Sequence, residues 1–572
     1  MKATRFVLPL IAGVTALGLA ACGGPAQPNG PGGATSAPAM KAGWDINETP
    51  RDQLASGGEF TGSISHEYRN WNPSTSEGGD REMVDLEKPV VPAYYDYNAM
   101  GEPQINNDYL LDAKAEVNPN LTLTLKLNPK AVWNDGAPIT VKDWIATVNA
   151  LNGSDKAFKN INTAGWELIT SVTKGADDYE VVLKFKSPYP DWTKIIATGP
   201  YRAESVATAD MFNNGWKKGM KLGWQSGPFK IQSIDNASGT TVMVPNELWW
   251  GEKPLLTKLT WKKILTDAQA TAFANQELDY YDMGADPNGF KTASEAQNSV
   301  VRKAGGPNFR HFTFNTKAPN LTDAKVRQAI VMGLDRGAIA RSDLAGLDWE
   351  ATPLNNNLYM ANQTGYVDQG KATGIDFNVE GAKAKLDEAG WTLNASTGYR
   401  EKDGKQLDVT FVVLSGVKAS ENEGLQAQKM LKDIGVNLKL KNINVDKQWP
   451  GVLDDHAFDI IAFSWIGTPY PLGDIRQIYG ATVKDGKETY ELFNYAQFLN
   501  PTVEELAPKI DTEMDPAKRA EMANQVAKSI WESSVTLPLY QRPMLIGVRA
   551  KLANIGAVAF GTVKWENVGY TK

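Results

Sequence analysis

Leu121-Thr122-Leu123-Thr124-Leu125-Lys126-Leu127 puts four leucines on one face of an extended chain and Thr, Thr and Lys on the other. That is the period-two pattern of a half-buried strand. Asn128-Pro129 ends it, because proline has no amide hydrogen to give to a ladder. Asp135-Gly136 then supplies a tight turn. At Thr140-Val141-Lys142-Asp143 a hydroxyl stands three residues before a carboxylate, close to a capping box, and opens a helix towards Leu151. A strand, a turn and a capped helix in such close succession are the unit from which mixed α/β lobes are built.

The same alternation extends outward in both directions. Tyr179 to Phe185 and Leu407 to Leu414 read as further strands, the second more continuously apolar, as a strand buried on both faces requires. Thr322-Asp323 starts a helix in which Val326, Ala329, Ile330, Gly333 and Leu334 share one face. Lys383 to Ala389 and Glu423 to Ile434 are helical, the latter stopped by Gly435. No internal repeat interrupts this order. A chain of 572 residues, 42% hydrophobic and 22% charged, is long enough for two or three domains with sizeable cores. Its net charge of −7, with both signs interspersed, provides no basic stripe for nucleic acid.

The N-terminal residues have a different character. Lys2 and Arg5 precede an apolar stretch from Phe6 to Ala20, which matches an export signal and is short for a membrane-spanning helix. It runs into Leu19-Ala20-Ala21-Cys22, which resembles the lipobox of bacterial lipoproteins. That resemblance implies removal of residues 1–21 and acylation of Cys22, the sole cysteine of the chain. Cleavage takes the charge from −7 to −9 by removing Lys2 and Arg5. Several acyl chains make a stable anchor, at about 0.8 kcal/mol per buried methylene. Residues 22–43, rich in Gly and Pro, read as the lipidated cysteine and a flexible tether. No other uninterrupted apolar run is long enough to span a bilayer, so the remainder is expected outside the membrane.

Five further segments, in order along the chain, resemble the oligopeptide/dipeptide-type (family 5) solute-binding proteins of ABC transporters. The first is the opening strand with Val132-Trp133-Asn134-Asp135-Gly136-Ala137-Pro138-Ile139-Thr140 and its capped helix. The second is Ser226-Gly227-Pro228-Phe229-Lys230 followed by Pro245-Asn246-Glu247-Leu248-Trp249-Trp250-Gly251. The third, Ala272 to Asp279, is similar to a short helix ending in Gly-Glu-x-Asp, with Gln276 in place of the glycine. The fourth joins Phe314-Asn315-Thr316 to Asp323-Ala324-Lys325-Val326-Arg327-Gln328-Ala329 and Asp335-Arg336. The fifth is Leu537-Pro538-Leu539-Tyr540.

The resemblance implies an α/β, two-lobed periplasmic-binding-protein-like fold of the class II type, with solute held between lobes that close by hinge motion. Lobe 1 is expected over 44–311, with an extra subdomain inserted at about 96–220; lobe 2 over 312–536; and a return to lobe 1 over 537–572. It also implies an importer receptor with no enzymatic activity and no cofactor. Its partners are a small solute, peptide being expected, and a permease with cytoplasmic ATPases that it never touches. The expected form is a monomer, lipid-anchored on the outer face of the cytoplasmic membrane.

Motif residues such as Arg327 and Asp335 read as helix braces rather than ligand contacts. The cleft candidates are Trp465, Thr468 and Tyr470 from the second lobe, with Tyr68, Asn70 and Trp71 from the first. Phe458 to Ile466 resembles the family strand leading into the cleft. In peptide binders of the family an aspartate three residues after its Trp meets the peptide ammonium group. Here that position is Thr468, uncharged, so the charge-assisted contact is missing unless Asp474 takes its place. Oligosaccharides and metal chelates are the alternative solutes, and a signalling receptor or a secreted hydrolase the alternative roles. Ser171-Val172-Thr173-Lys174 and Ser415-Gly416-Val417-Lys418 fit a Ser-x-x-Lys nucleophile, but the Lys-Thr-Gly and Ser-Asp-Asn that accompany it are absent. His66, His311 and His456 lie far apart without metal-ligand spacing; His66 and His311 are the pair that could meet on a chelate.

Overall fold

The computed structural model describes residues 43–572, apart from the side chains of residues 445–447 and 450. The export segment, the tether to Ala42 and Cys22 lie outside the described residues. A first strand runs over Glu59–Ile64 (β1). Leu110–Val117 (β2), Leu121–Leu127 (β3), Ile169–Lys174 (β4) and Glu180–Phe185 (β5) form an antiparallel sheet in the order β2-β3-β5-β4. The four leucines of β3 are buried against Trp133, Trp144 and Val148, the last two on the helix Val141–Leu151 (α1). Each such leucine contributes about 2 kcal/mol by leaving water. The Asp143 carboxylate accepts from the Thr140 amide at 3.0 Å and the Ala203 amide at 2.9 Å, so it closes the helix start and pins the chain ahead of the next turn. Gly136 sits at φ +85°, which explains the glycine in that turn. A short helix, Trp192–Ile196 (α2), follows. Phe229–Asp235 (β6), Thr240–Pro245 (β7) and Lys258–Lys263 (β8) then join β1 in a second sheet, β1-β8-β7-β6, in which β1 and β8 are parallel.

Six further strands build one sheet. These are Tyr280–Asp282 (β9), Ser299–Phe314 (β10), Asp408–Leu414 (β11), Asn437–Ile443 (β12), Ile460–Ile466 (β13) and Thr536–Arg549 (β14), in the order β9-β14-β10-β13-β11-β12. One face is covered by Ala324–Gly333 (α3), Arg336–Asp343 (α4) and Lys418–Lys432 (α5), which enclose the largest core of the molecule. Arg327 is buried in α3 and donates to the carbonyls of Ser533, Leu321 and Thr322; Asp335 accepts from the Ala338 amide and caps α4. Both act as braces. Ile475–Tyr479 (α6) and Pro516–Ser533 (α7) complete the helices that matter for the site.

Two features of connectivity matter for function. β10 and β14 are long, and each changes neighbours along its length. Ser299 to Gly305 pair with Arg549 to Pro543, where β14 also pairs with β9; Asn308 to Phe314 pair with β13. Between these halves the register breaks, with Gly306, Pro307 and Asn308 set against Arg542 alone. The two ends of the described chain are also stitched together. Asp45 bridges to Ala557, Leu54 bridges to Thr571, and the Lys572 amide donates to the Gln53 carbonyl at 3.2 Å.

Candidate solute-binding site

Side chains on paired strands alternate between faces, and directly opposed residues share one. Phe309 is opposite Trp465 and His311 opposite Phe463, so these four rings lie on one face of β10 and β13. The His311 and Trp465 rings are parallel within 3° at 5.8 Å, and Trp465 continues onto Tyr495, parallel within 10° at 6.1 Å. Phe463 closes edge-on against His311 at 4.2 Å and Trp465 at 5.1 Å, and Phe493 flanks Trp465 at 5.9 Å. Trp465, Phe493 and Tyr495 are half-buried, while the neighbouring Ile466 and Leu492 are 66% and 77% exposed. The result is a partly open aromatic wall, able to take large apolar or planar groups without charge.

His311 lies at the base of this wall, fully buried, with neither ring nitrogen hydrogen-bonded. Burial, then the neighbouring Arg310 charge, holds its pKa well below the usual histidine value, so the ring is neutral. Arg310 points to the opposite face, where it forms a bidentate pair with the buried Glu423 at 2.6 Å on both contacts. Tyr540 on β14 donates to Asp343 Oδ2 at 3.1 Å, and burial with the nearby Glu423 charge pushes the Asp343 carboxyl up to about 8. The aromatic wall therefore backs onto a buried ionic cluster on the other side of the sheet.

The residues after β13 include the three polar candidates Thr468, Tyr470 and Asp474. The Thr468 hydroxyl accepts from the Tyr470 amide at 3.1 Å and its carbonyl accepts from Gln363 Nε2 at 2.9 Å. Asp474 flanks the start of α6 without making a cap hydrogen bond. The Tyr470 hydroxyl donates to Thr193 Oγ1 at 2.9 Å and lies 2.9 Å from the Tyr97 hydroxyl.

Tyr68, Asn70 and Trp71 are placed differently. Trp71 is buried in the core of the β1-β8-β7-β6 sheet, with Tyr68 against it at 4.9 Å. Asn70 is fully buried and donates to the Asn213 carbonyl at 3.0 Å. The buried Tyr68 hydroxyl has no hydrogen-bond partner, and burial raises its pKa. Among the described residues no hydrogen bond or ring contact joins these three to Trp465, Thr468 or Tyr470. His66 is near the surface beside Asp80 and Glu82, at 3.3 Å from each, away from the buried environment of His311. No group of three His, Cys, Asp or Glu among the described residues could hold a metal ion, and no helix among them is long and apolar enough to cross a membrane.

Sequence reading did not single out Tyr495 and Phe493 in the wall, nor Tyr97 and Thr193 beside Tyr470. Tyr97 is 373 residues from Tyr470 in the chain, and no local spacing signals such a pair.

Residues 109–485 match the profile of bacterial extracellular solute-binding proteins, family 5. The oligopeptide-binding protein OppA of Mycobacterium tuberculosis is 32% identical over 536 residues, which is 92% of this chain and 87% of that one. Among solved structures, the periplasmic EDTA-binding protein EppA superposes with a TM-score of 0.79 at 22% identity, over 94% of this chain and all of EppA. The oligopeptide-binding protein AppA of Bacillus subtilis, in complex with a nonapeptide, superposes at 0.68 with 20% identity over 91% of this chain and all of AppA. Their two-lobed α/β architecture is the fold of this chain. A profile that covers most of the chain, and a relative matched along nearly all of it, lead to one conclusion: this protein belongs to the family 5 bacterial extracellular solute-binding proteins, and is a binding protein rather than an enzyme.

Proposed function

We propose that this protein is the lipid-anchored receptor of an ABC importer, capturing peptides between its lobes and delivering them to a membrane permease with cytoplasmic ATPases. The observation that carries the peptide reading is the 32% identity to an oligopeptide-binding protein along almost the whole chain. The aromatic wall of Trp465, Tyr495 and Phe493 supports it, because such rings accept varied apolar side chains. In this reading the lobes span 44–311 and 312–536 with a return to the first over 537–572, and the subdomain is inserted at about 96–220. Their hinge lies where β10 and β14 lose register, at Gly305–Phe309 opposite Gln541–Pro543.

Thr468 shapes the mode of recognition. Uncharged, with its hydroxyl accepting from the Tyr470 amide, it gives a peptide ammonium no carboxylate to pair with. Main-chain pairing tolerates many sequences and needs no charged anchor, so it is the mode that fits.

Native mass spectrometry on the protein produced without residues 1–22 tests the reading. A ladder of peptide masses released on denaturation is the expected result. A single non-peptide mass, such as a sugar or a metal chelate, would replace peptide as the solute while leaving the receptor role in place.

A further inference from the structure

The loop after β13 lies against the segment carrying α2, and the contact is bound together by charge. Asp191, the residue preceding α2, is buried, and its carboxylate receives both terminal nitrogens of Arg519, in the first turn of α7, at 2.6 and 2.7 Å. Arg519 Nε donates at the same time to the Ile510 carbonyl at 3.0 Å, which fixes the plane of the guanidinium. The side chains of the pair are 13% and 8% exposed. Asp511 is the second carboxyl near Arg519; burial raises its pKa, and Arg476 approaches it at 3.9 Å.

Five further contacts accompany the pair. The Tyr470 hydroxyl touches Thr193 and Tyr97, as described above. A Cβ on Gly101 would come within 3.0 Å of Pro469 Cα, and one on Gly473 within 3.7 Å of Asp191 Oδ2. Thr364 donates to Glu102 Oε1 at 3.0 Å. Every one of these contacts joins residues 97–193 to residues 364–519.

We propose that Asp191 and Arg519, with the Tyr97–Tyr470–Thr193 hydroxyl cluster, form a latch that holds the two lobes together over the cleft. The proposal rests on the two-lobed cleft reading above and adds its regulation. A buried ion pair adds little net stability over an apolar substitute, but separating its partners in place leaves each charge uncompensated. Its energy therefore goes into choosing between two arrangements: lobes together with the pair formed, or lobes apart with both charges in water. A solute held between the lobes leaves only when this pair breaks. The latch uses the loop that in peptide-binding relatives contains the ammonium-binding aspartate, so in this chain the segment serves closure.

The test measures lobe separation with no solute present, so its outcome is independent of what the protein binds. The chain without residues 1–22 contains no cysteine, which allows spin labels at Lys156→Cys and Glu521→Cys, both exposed positions on the two sides of the contact. In Arg519→Gln and Asp191→Asn the distance distribution is expected to lengthen and broaden, with the separated population rising about five-fold or more. Tyr470→Phe, which removes only a hydroxyl, is expected to shift it in the same direction by less. It keeps the test open if either charge variant fails to melt cooperatively. Unchanged distributions in all folded variants would overturn the latch.

Discussion

Single residues in this protein act through what their neighbours leave unused. Trp465 presents a half-buried ring in a row of aromatic faces, so its loss removes contact area from the wall. Trp465→Ala is expected to weaken binding of the peptides recovered with the protein by about 2 kcal/mol, roughly 30-fold, in isothermal titration. Thr468→Ala tests the opposite case. Its hydroxyl serves a turn, so affinity is expected to stay within about 0.5 kcal/mol of the parent. A large loss would return the ammonium anchor to that position. At this scale the sequence marks residues beside recognisable strands and misses pairs made across the chain. Trp465 and Tyr470 were singled out because the first lies in a recognisable strand and the second just after it, whereas Arg519 pairs with Asp191 across 328 residues and carries no local sign of it. Tyr68, Asn70 and Trp71 follow the first strand in the order expected of cleft residues; Trp71 is buried in the core of its sheet with Tyr68 against it, and Asn70 is buried on the Asn213 carbonyl.

At the scale of elements, the clearest signals were periodic. β3 and α1 were legible within a residue or two because alternation and capping are written locally. β10 was not. Its two halves pair with β14 around a bulge, and Gly305-Gly306-Pro307-Asn308 interrupts any single run of alternating residues that would mark so long a strand. The helix start at Asp143 makes two amide contacts, so Asp143→Ala is expected to cost about 1–2 kcal/mol in chemical denaturation. The cluster behind the wall gives a pH dependence. Asp343 holds its proton in the folded chain up to about 8 but releases it in the ordinary aspartate range when unfolded. Over that interval the folded state binds more protons, so this group's contribution is full at acid pH and is lost as pH rises through the folded value. Melting temperature against pH should fall less steeply across the interval in Asp343→Asn. An unaltered slope would remove Asp343 from the account. Glu423→Gln strips Arg310 of its counter-charge and is expected to destabilise by about 3–5 kcal/mol, seen as a lower thermal midpoint.

For the whole molecule, ordered motifs were enough to give the two-lobed fold, since each marks a strand or helix whose place is set by the lobes. The way those lobes meet was not, because it depends on contacts between distant segments. Attachment is a separate question with a direct test. Cys22→Ser, in cells of the source organism, is expected to move the protein from the membrane fraction to the soluble one. Retention in the membrane fraction would refute acylation at this residue. If Cys22 is the point of attachment, the stitching of the chain ends has a mechanical consequence. Asp45 and Leu54 are tied to Ala557 and Thr571, so tension arriving from the membrane passes from one end of the chain directly to the other. It is taken up as shear between residues already paired, and part of it enters β10, because the Asp45 carboxylate also accepts from Arg302 and from the Lys303 amide, both at 3.1 Å. A pull on the anchor is therefore shared by the first described residues, the last ones and the first half of β10.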